Sequence, residues 1–252
     1  MSGQRPVALV TGVGRRIGIG AALAERLAAT GWDVAFTYWQ PYDERMPWGR
    51  DDELGAELVR QFGKHSARGL AVEADLEDVD VPAAIFDRVT AELGDVRALV
   101  LSHCESVDSG LLDTSVESFD RHFAVNTRAA WLLIRELGRR FTGPHGTGRI
   151  IALTSDHTVG NLPYGASKGA LDRITIAAAR ELGHLGITAN VINPGPVDTG
   201  WMTPELTAEM VGVTPLGRLG TPTDVANLVG FLCSPEGGWI NGQLLYSNGG
   251  AK

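Results

Sequence analysis

Two side chains in this sequence could move a proton together. Tyr164 and Lys168 stand four residues apart in Tyr164-Gly165-Ala166-Ser167-Lys168, so on a helix they lie on one face. A free phenol, with a pKa of about 10, is a poor acid or base at neutral pH, and a fixed ammonium beside it favours the phenolate. Alone the spacing is weak evidence, because solvated Tyr and Lys meet this way by chance. Near the start, Thr11-Gly12-Val13-Gly14-Arg15-Arg16-Ile17-Gly18 could turn a strand into a helix and leave the helix amides pointing at a phosphate, or be an ordinary turn. His103 and Cys104 lack the second spaced pair that zinc needs, so no metal is expected.

These groups need strands that end side by side. Val7-Ala8-Leu9-Val10 is a short apolar run ahead of the glycine turn, and a helix is predicted from Ile17 to Ala29, with Gly31 as its C-terminal cap. Asp33 to Tyr38 reads as the next strand, completing a βαβ start of the dinucleotide-binding kind. Apolar runs recur at Gly69 to Val72, Ala98 to Leu101, Arg149 to Leu153, Ile187 to Ile192 and Gln243 to Tyr246. Between most of them lie helix-period stretches: Val81 to Leu93, Val116 to Phe141 with a break near Asn126, and Ala170 to Leu182. A further helix should start at Thr221-Pro222. The expected fold class is α/β, a single-domain Rossmann-like, doubly wound and mostly parallel seven-stranded sheet with helices on both faces, spanning residues 1–252. Residues 40–53 break the rhythm and read as an inserted surface loop, either a flap anchored by Trp48 or a variable contact loop.

The chain resembles the short-chain dehydrogenases/reductases over nearly its whole length. The family pattern T-G-x-x-x-G-x-G is similar to Thr11 to Gly18, with Arg16 where the middle glycine usually stands, as in some 3-oxoacyl-carrier-protein reductase-like and pteridine reductase members. Asp75-Leu76, Asn126, Ser155, Tyr164 with Lys168, and Pro194-Gly195-Pro196-Val197-Asp198-Thr199 continue the resemblance in order. It implies that Tyr164 is the general acid or base and that Lys168 lowers its pKa and holds the nicotinamide ribose. It implies too that Ser155 hydrogen-bonds the substrate oxygen and Asn126 supports a water relay reaching Lys168. Hydride would pass between the nicotinamide and a carbonyl or alcohol carbon. Gly12, Gly14, Arg15, Arg16, Ile17, Gly18, Tyr38, Asp75, Leu76, Ser102, Pro194, Gly195, Val197 and Thr199 would line the cofactor. Tyr38 stands where NAD-binding members place a carboxylate and Arg15 could grip a 2′-phosphate, which favours NADP over NAD.

The chain departs from the family in three places. Leu101-Ser102-His103-Cys104 replaces the common Asn-Asn-Ala-Gly, and Arg16 replaces a glycine. Ser155 precedes Tyr164 by 9 residues, where about thirteen are usual in the family, which keeps Thr154 in reserve for the substrate hydroxyl. Glu105, His157, Trp201 and Met202 are candidates for the substrate pocket, and Gly200 to Leu216 for its lid. A non-catalytic dinucleotide sensor is the rival class.

A formal charge of -8 gives no reason to expect a nucleic acid or an anionic membrane as partner. Two cysteines make no disulfide framework, and the first thirty residues lack a signal-peptide arrangement, so the cytoplasm is the expected compartment. The resemblance suggests a small-molecule substrate and a homotetramer built through the helices around Asn126 and Tyr164.

Overall fold

The structure, a computed structural model, describes residues 5–251. Its strands are short apolar runs: β1 (Val7–Thr11), β2 (Asp33–Tyr38), β3 (Gly69–Glu73), β4 (Val96–Leu101), β5 (Gly148–Leu153), β6 (Ile187–Asn193) and β7 (Leu244–Tyr246). They form one parallel sheet in the order β3-β2-β1-β4-β5-β6-β7. β1 pairs with β2 on one side and β4 on the other, so the chain reverses its winding there, and a crevice opens past Thr11 and its register partner Leu101.

Alternating side chains feed two cores, one on each face. Ala8, Val10 and Phe36 pack against α1 (Ile19–Ala29), α3 (Leu54–Gly63) and α9 (Pro222–Cys233). Leu9, Leu99 and Ile150 pack against α4 (Val81–Glu92), α6 (Ala130–Arg140) and α7 (Leu162–Glu181). The expected fold is the one observed. Thr221 caps α9 in a capping box with Asp224, its hydroxyl accepting from the Asp224 amide at 3.2 Å.

Three local expectations change. α1 starts at Ile19 rather than Ile17, because the turn before it is longer than a plain glycine turn. The break near Asn126 is a π-helical stretch, Phe123–Ala129, between α5 (Val116–His122) and α6. Residues 40–53 are not a plain surface loop. They begin with α2 (Gln40–Glu44), which Pro41 enters at its first turn and which buries Asp43.

Candidate active site

Leaving β1, the chain turns at Gly12 with φ of +77°, a left-handed conformation that glycine adopts without strain. A Cβ on Gly12 would lie 2.5 Å from the His103 Cα, so the exit of β4 packs directly on the turn. A Cβ on Gly20 would lie 2.5 Å from the Gly12 carbonyl oxygen, whereas one on Gly18 would lie 3.1 Å from the Arg15 carbonyl oxygen. Gly20, not Gly18, therefore lets α1 close on the strand. Arg16 stands in the middle glycine's place of the pattern Thr11 to Gly18. Arg16 turns outward to Asp51, at 3.0 Å, and to Glu57, away from the crevice. Ile17 is also exposed. Gly18 caps α1 with no side-chain bond, leaving first-turn amides for an anion.

A cavity of about 400 Å³ runs along the carboxyl ends of the strands. Gly12, Gly14, Arg15 and Gly18 line it from the turn, and Tyr38, Asp75, Leu76 and Ser102 from the ends of β2, β3 and β4. Tyr164, Lys168, Pro194 and Thr199 complete the far wall. Gly195 instead packs on Asn248, where a Cβ would meet the Asn248 Cβ at 2.4 Å, and Val197 bridges to Gly220 in the core. Asp75 lines the cavity while accepting from the Glu77 amide at 2.9 Å, which caps the turn after β3.

α7 carries Tyr164 and Lys168. Lys168 is buried, and its Nζ donates to the carbonyls of Leu153 at 3.0 Å and His103 at 3.4 Å. An ammonium has three donors, so one is left for the cavity. Its charge lies 5.7 Å from the Tyr164 ring centroid. Burial dominates both groups. It pushes the Tyr164 phenol above its ordinary value, with the Cys104 thiol adding to the rise and a hydrogen bond from Ser155 opposing it. Burial likewise pushes Lys168 down. Burial of the phenol sets the direction, and the Lys168 charge is not among the contributions that shift it. Ser155 is half-buried and does not line the cavity, and its Oγ accepts from the His157 amide at 3.1 Å. Thr154 lines the cavity, and its hydroxyl donates to the Lys168 carbonyl at 3.5 Å.

Asn126 is buried in the π-helical stretch and clamps two elements. Its amide nitrogen donates to the Glu105 carbonyl at 2.9 Å and to Ser167 Oγ at 2.9 Å, and its oxygen accepts from the Glu105 amide at 2.7 Å. It thereby fixes the chain after β4 to α7. His103 is wedged between the two halves of the site, with Nε2 3.0 Å from the Val125 carbonyl and Nδ1 2.6 Å from Thr11 Oγ1. Burial and the Lys168 charge lower its pKa to about 3. The imidazole is therefore neutral, with Nε2 donating and Nδ1 accepting.

The segment 40–53 covers the crevice. Tyr42, Asp43, Arg45 and Trp48 all line the cavity. Arg45 pairs with buried Glu105, and the Trp48 Nε1 donates to Asp43 at 2.9 Å. The Trp48 ring packs on Trp201 with centroids 5.1 Å apart. Arg15 lies 4.0 Å over Trp48 and donates to the Thr199 carbonyl. Trp201 leads into α8 (Pro204–Val213), which begins at the cap formed by Thr203. Of the other pocket candidates, Glu105 and Trp201 line the cavity, while exposed His157 and half-buried Met202 do not.

A family model described as enoyl-(acyl carrier protein) reductase matches residues 12–252. The chain is 36% identical over 252 residues to the uncharacterized oxidoreductase YjdA of Bacillus subtilis (strain 168), covering 98% of this chain and 97% of that protein. The chain belongs to the short-chain dehydrogenase/reductase family. Its members' chemistry makes it an NAD(P)-dependent oxidoreductase of carbonyl and alcohol groups. It is 35% identical over 262 residues to a chloroplastic NADPH-dependent aldehyde reductase-like protein of Arabidopsis thaliana, covering 97% of this chain and 93% of that one. A blue fluorescent protein from a metagenomic library, solved in complex with NADPH, superimposes with a TM-score of 0.85 at 35% identity, each chain covered to 97%.

For a short-chain dehydrogenase/reductase, the groups the sequence did not disclose are concentrated in the turn and the insertion. Gly20 lies two residues past the pattern that ends at Gly18, and nothing in the spacing marks its close approach to Gly12. Asp43 had no signal either, since nothing in Gln40-Pro41-Tyr42-Asp43 says that the helix folds back over Gly14. A Cβ on Gly14 would come within 2.1 Å of the Asp43 carboxylate. Burial raises the pKa of Asp43, with Trp48 and Arg15 opposing the rise. The Tyr42 hydroxyl is buried with no partner among the described residues.

Proposed function

We propose that this chain interconverts a carbonyl and an alcohol with NADP(H), with Tyr164 moving the proton. The observation that carries the reading is that Tyr164 and Lys168, which keeps a free donor, line the same cavity as the glycine turn, with Ser155 acting on the phenol from β5's end. When bound, the dinucleotide supplies or accepts the hydride. Gly12, Gly20 and the uncapped amides of α1 fit a phosphate-bearing dinucleotide, since a side chain at either glycine would close the turn. Ser155 holds the substrate oxygen, the third Lys168 donor holds a ribose hydroxyl, and Asn126 keeps both walls in place while supporting a proton relay. Burial keeps Tyr164 protonated, which is the form that donates to a carbonyl oxygen in reduction.

NADP is supported by the NADPH relatives and by Tyr38, which ends β2 without a carboxylate. A second reading, NAD(H), is favoured by Asp43, whose carboxylate lies over the glycine turn, where an acid can hold a ribose diol. The pteridine-type alternative rests on Arg16 in the glycine motif, and the turn of that side chain to Asp51 lends it no support from the cavity. The test is a panel of aldehydes, ketones and alcohols assayed with both cofactors on the wild type and Asp43→Asn. Turnover with NADPH exceeding that with NADH, and unchanged in rank by the variant, is the expected outcome. A wild type that prefers NADH, and loses that preference in the variant, establishes the second reading. No turnover on any substrate sinks the enzymatic one.

We also propose a cytoplasmic homotetramer. Trp131 and Phe119, both large and exposed around the π-helical stretch, are the supporting observation, and light scattering is the check. No helix among the described residues is long and apolar enough to cross a membrane.

A further inference from the structure

Arg15 would be the natural reader of a 2′-phosphate if it pointed to the end of β2. It does not. Its guanidinium lies against the Thr199 carbonyl, in the segment after β6, and the strand order puts β6 on the opposite side of the crevice from β2. It gets there by stacking 4.0 Å over Trp48, a residue of the insertion. Trp48 is itself fixed by its Nε1 bond to Asp43 at 2.9 Å and by its contact with Trp201, 5.1 Å between centroids. Arg15 also belongs to the turn that delivers the uncapped amides of α1, where a Cβ on Gly18 would lie 3.4 Å from the Arg15 Cβ. In a doubly wound sheet that place, the helix N-terminus at the switch point, receives a pyrophosphate. Of the five guanidinium donors only one is engaged by the described residues, so a fork of donors remains for an anion.

We propose that Trp48 is a positioning residue that holds Arg15 against the pyrophosphate of the dinucleotide, so that Arg15 grips NADH and NADPH alike and does not choose between them. The proposal rests on the dinucleotide reading above and assigns the insertion a part in it. The rigid stack keeps a long side chain from collapsing onto Asp43, whose charge would otherwise draw it away from a ligand phosphate.

Four probes separate the phosphates: ADP-ribose, which has the pyrophosphate alone; adenosine 2′-monophosphate, which has only the other phosphate; NADH; and NADPH. Dissociation constants are measured by calorimetry on the full chain. Arg15→Ala should weaken ADP-ribose, NADH and NADPH by about tenfold or more, the scale of a charge-assisted hydrogen bond, and leave adenosine 2′-monophosphate unmoved. Trp48→Ala should reproduce that pattern with Arg15 intact, and Trp48→Phe, which keeps an aromatic face, should restore most of the affinity. Loss confined to NADPH and adenosine 2′-monophosphate would overturn the assignment, since Arg15 would then read the 2′-phosphate. A Trp48→Ala protein that binds ADP-ribose as the wild type does would overturn the positioning role. A wild type that binds ADP-ribose but neither intact dinucleotide would leave Arg15 as a pyrophosphate grip and fail the cofactor reading instead.

Discussion

On the β5 side of the crevice the functional groups hang from regular elements; on the β1 and β2 side they hang from turns. Tyr164 and Lys168 share a face of a 20-residue helix, and Ser155 follows directly on the end of β5. Arg15, Asp43 and Trp48 are held by one another, through a stack, a hydrogen bond and a charge. A helix imposes a fixed spacing whatever the neighbouring side chains are, whereas a mutually supported cluster exists only when all its members do. The first half should therefore lose chemistry without losing shape, and the second should lose shape first.

The largest effect expected tests the first half. Tyr164→Phe should lower kcat by roughly 10²- to 10⁴-fold, the usual scale of a general acid, while dinucleotide affinity stays within a factor of two or so of wild type. A variant that instead loses its cofactor would show that the helix side is as interdependent as the turn side. Next come the glycines. Gly20→Ala forces a Cβ against a backbone carbonyl and should cost about 1–3 kcal/mol in chemical denaturation, while Gly18→Ala, at an uncapped helix start, should cost less than about 1 kcal/mol. The reverse order would restore Gly18 as the close-approach residue.

His103 sits where the halves meet, and its titration reports whether they stay packed. Its folded pKa, about 3, lies below the ordinary value of 6.5, so between those pH values the unfolded chain binds a proton that the folded one refuses. Stability is thus intact above pH 6.5 and falls as the pH drops towards 3, by about 1.4 kcal/mol per unit from this group. Melting temperatures of the wild type and His103→Ala between neutral and mildly acidic pH should converge as that slope disappears from the variant. Parallel curves would mean that the imidazole is hydrated and the junction open. The smallest effect belongs to Arg16→Ala, whose partners are surface carboxylates. It should change stability by less than about 1 kcal/mol and leave cofactor affinity unchanged, and a large affinity loss would return Arg16 to the cofactor.

Legibility in the sequence followed the same division. Short apolar runs located all seven strands and period-3.6 patterns most of the helices, and the Tyr164 to Lys168 spacing needed only a helix to become a shared face. Asn126 was legible as a break in a long helical stretch, though its clamp on Glu105 and Ser167 depends on contacts distant in the chain. The close approach of Gly20 to Gly12 was not legible, because a turn has no period to reveal which glycine packs on the strand. The direction of the phenol's pKa could not be read at all, since it is set by how much water the fold removes and not by which residues are near in sequence.

The π-helical stretch from Phe123 to Ala129 bears on how such a site can be lost. A π-turn accommodates one residue more than an α-helix would, and each residue advances a helix by about 100°. Deleting a single codon within it would relax the stretch into uninterrupted α-helix, a change that chain connectivity tolerates easily. Asn126 would then face elsewhere, releasing Glu105 and Ser167 together. Such a chain would keep its sheet, its cleft and its glycine turn, and would lose the clamp between the exit of β4 and α7 in one mutational step.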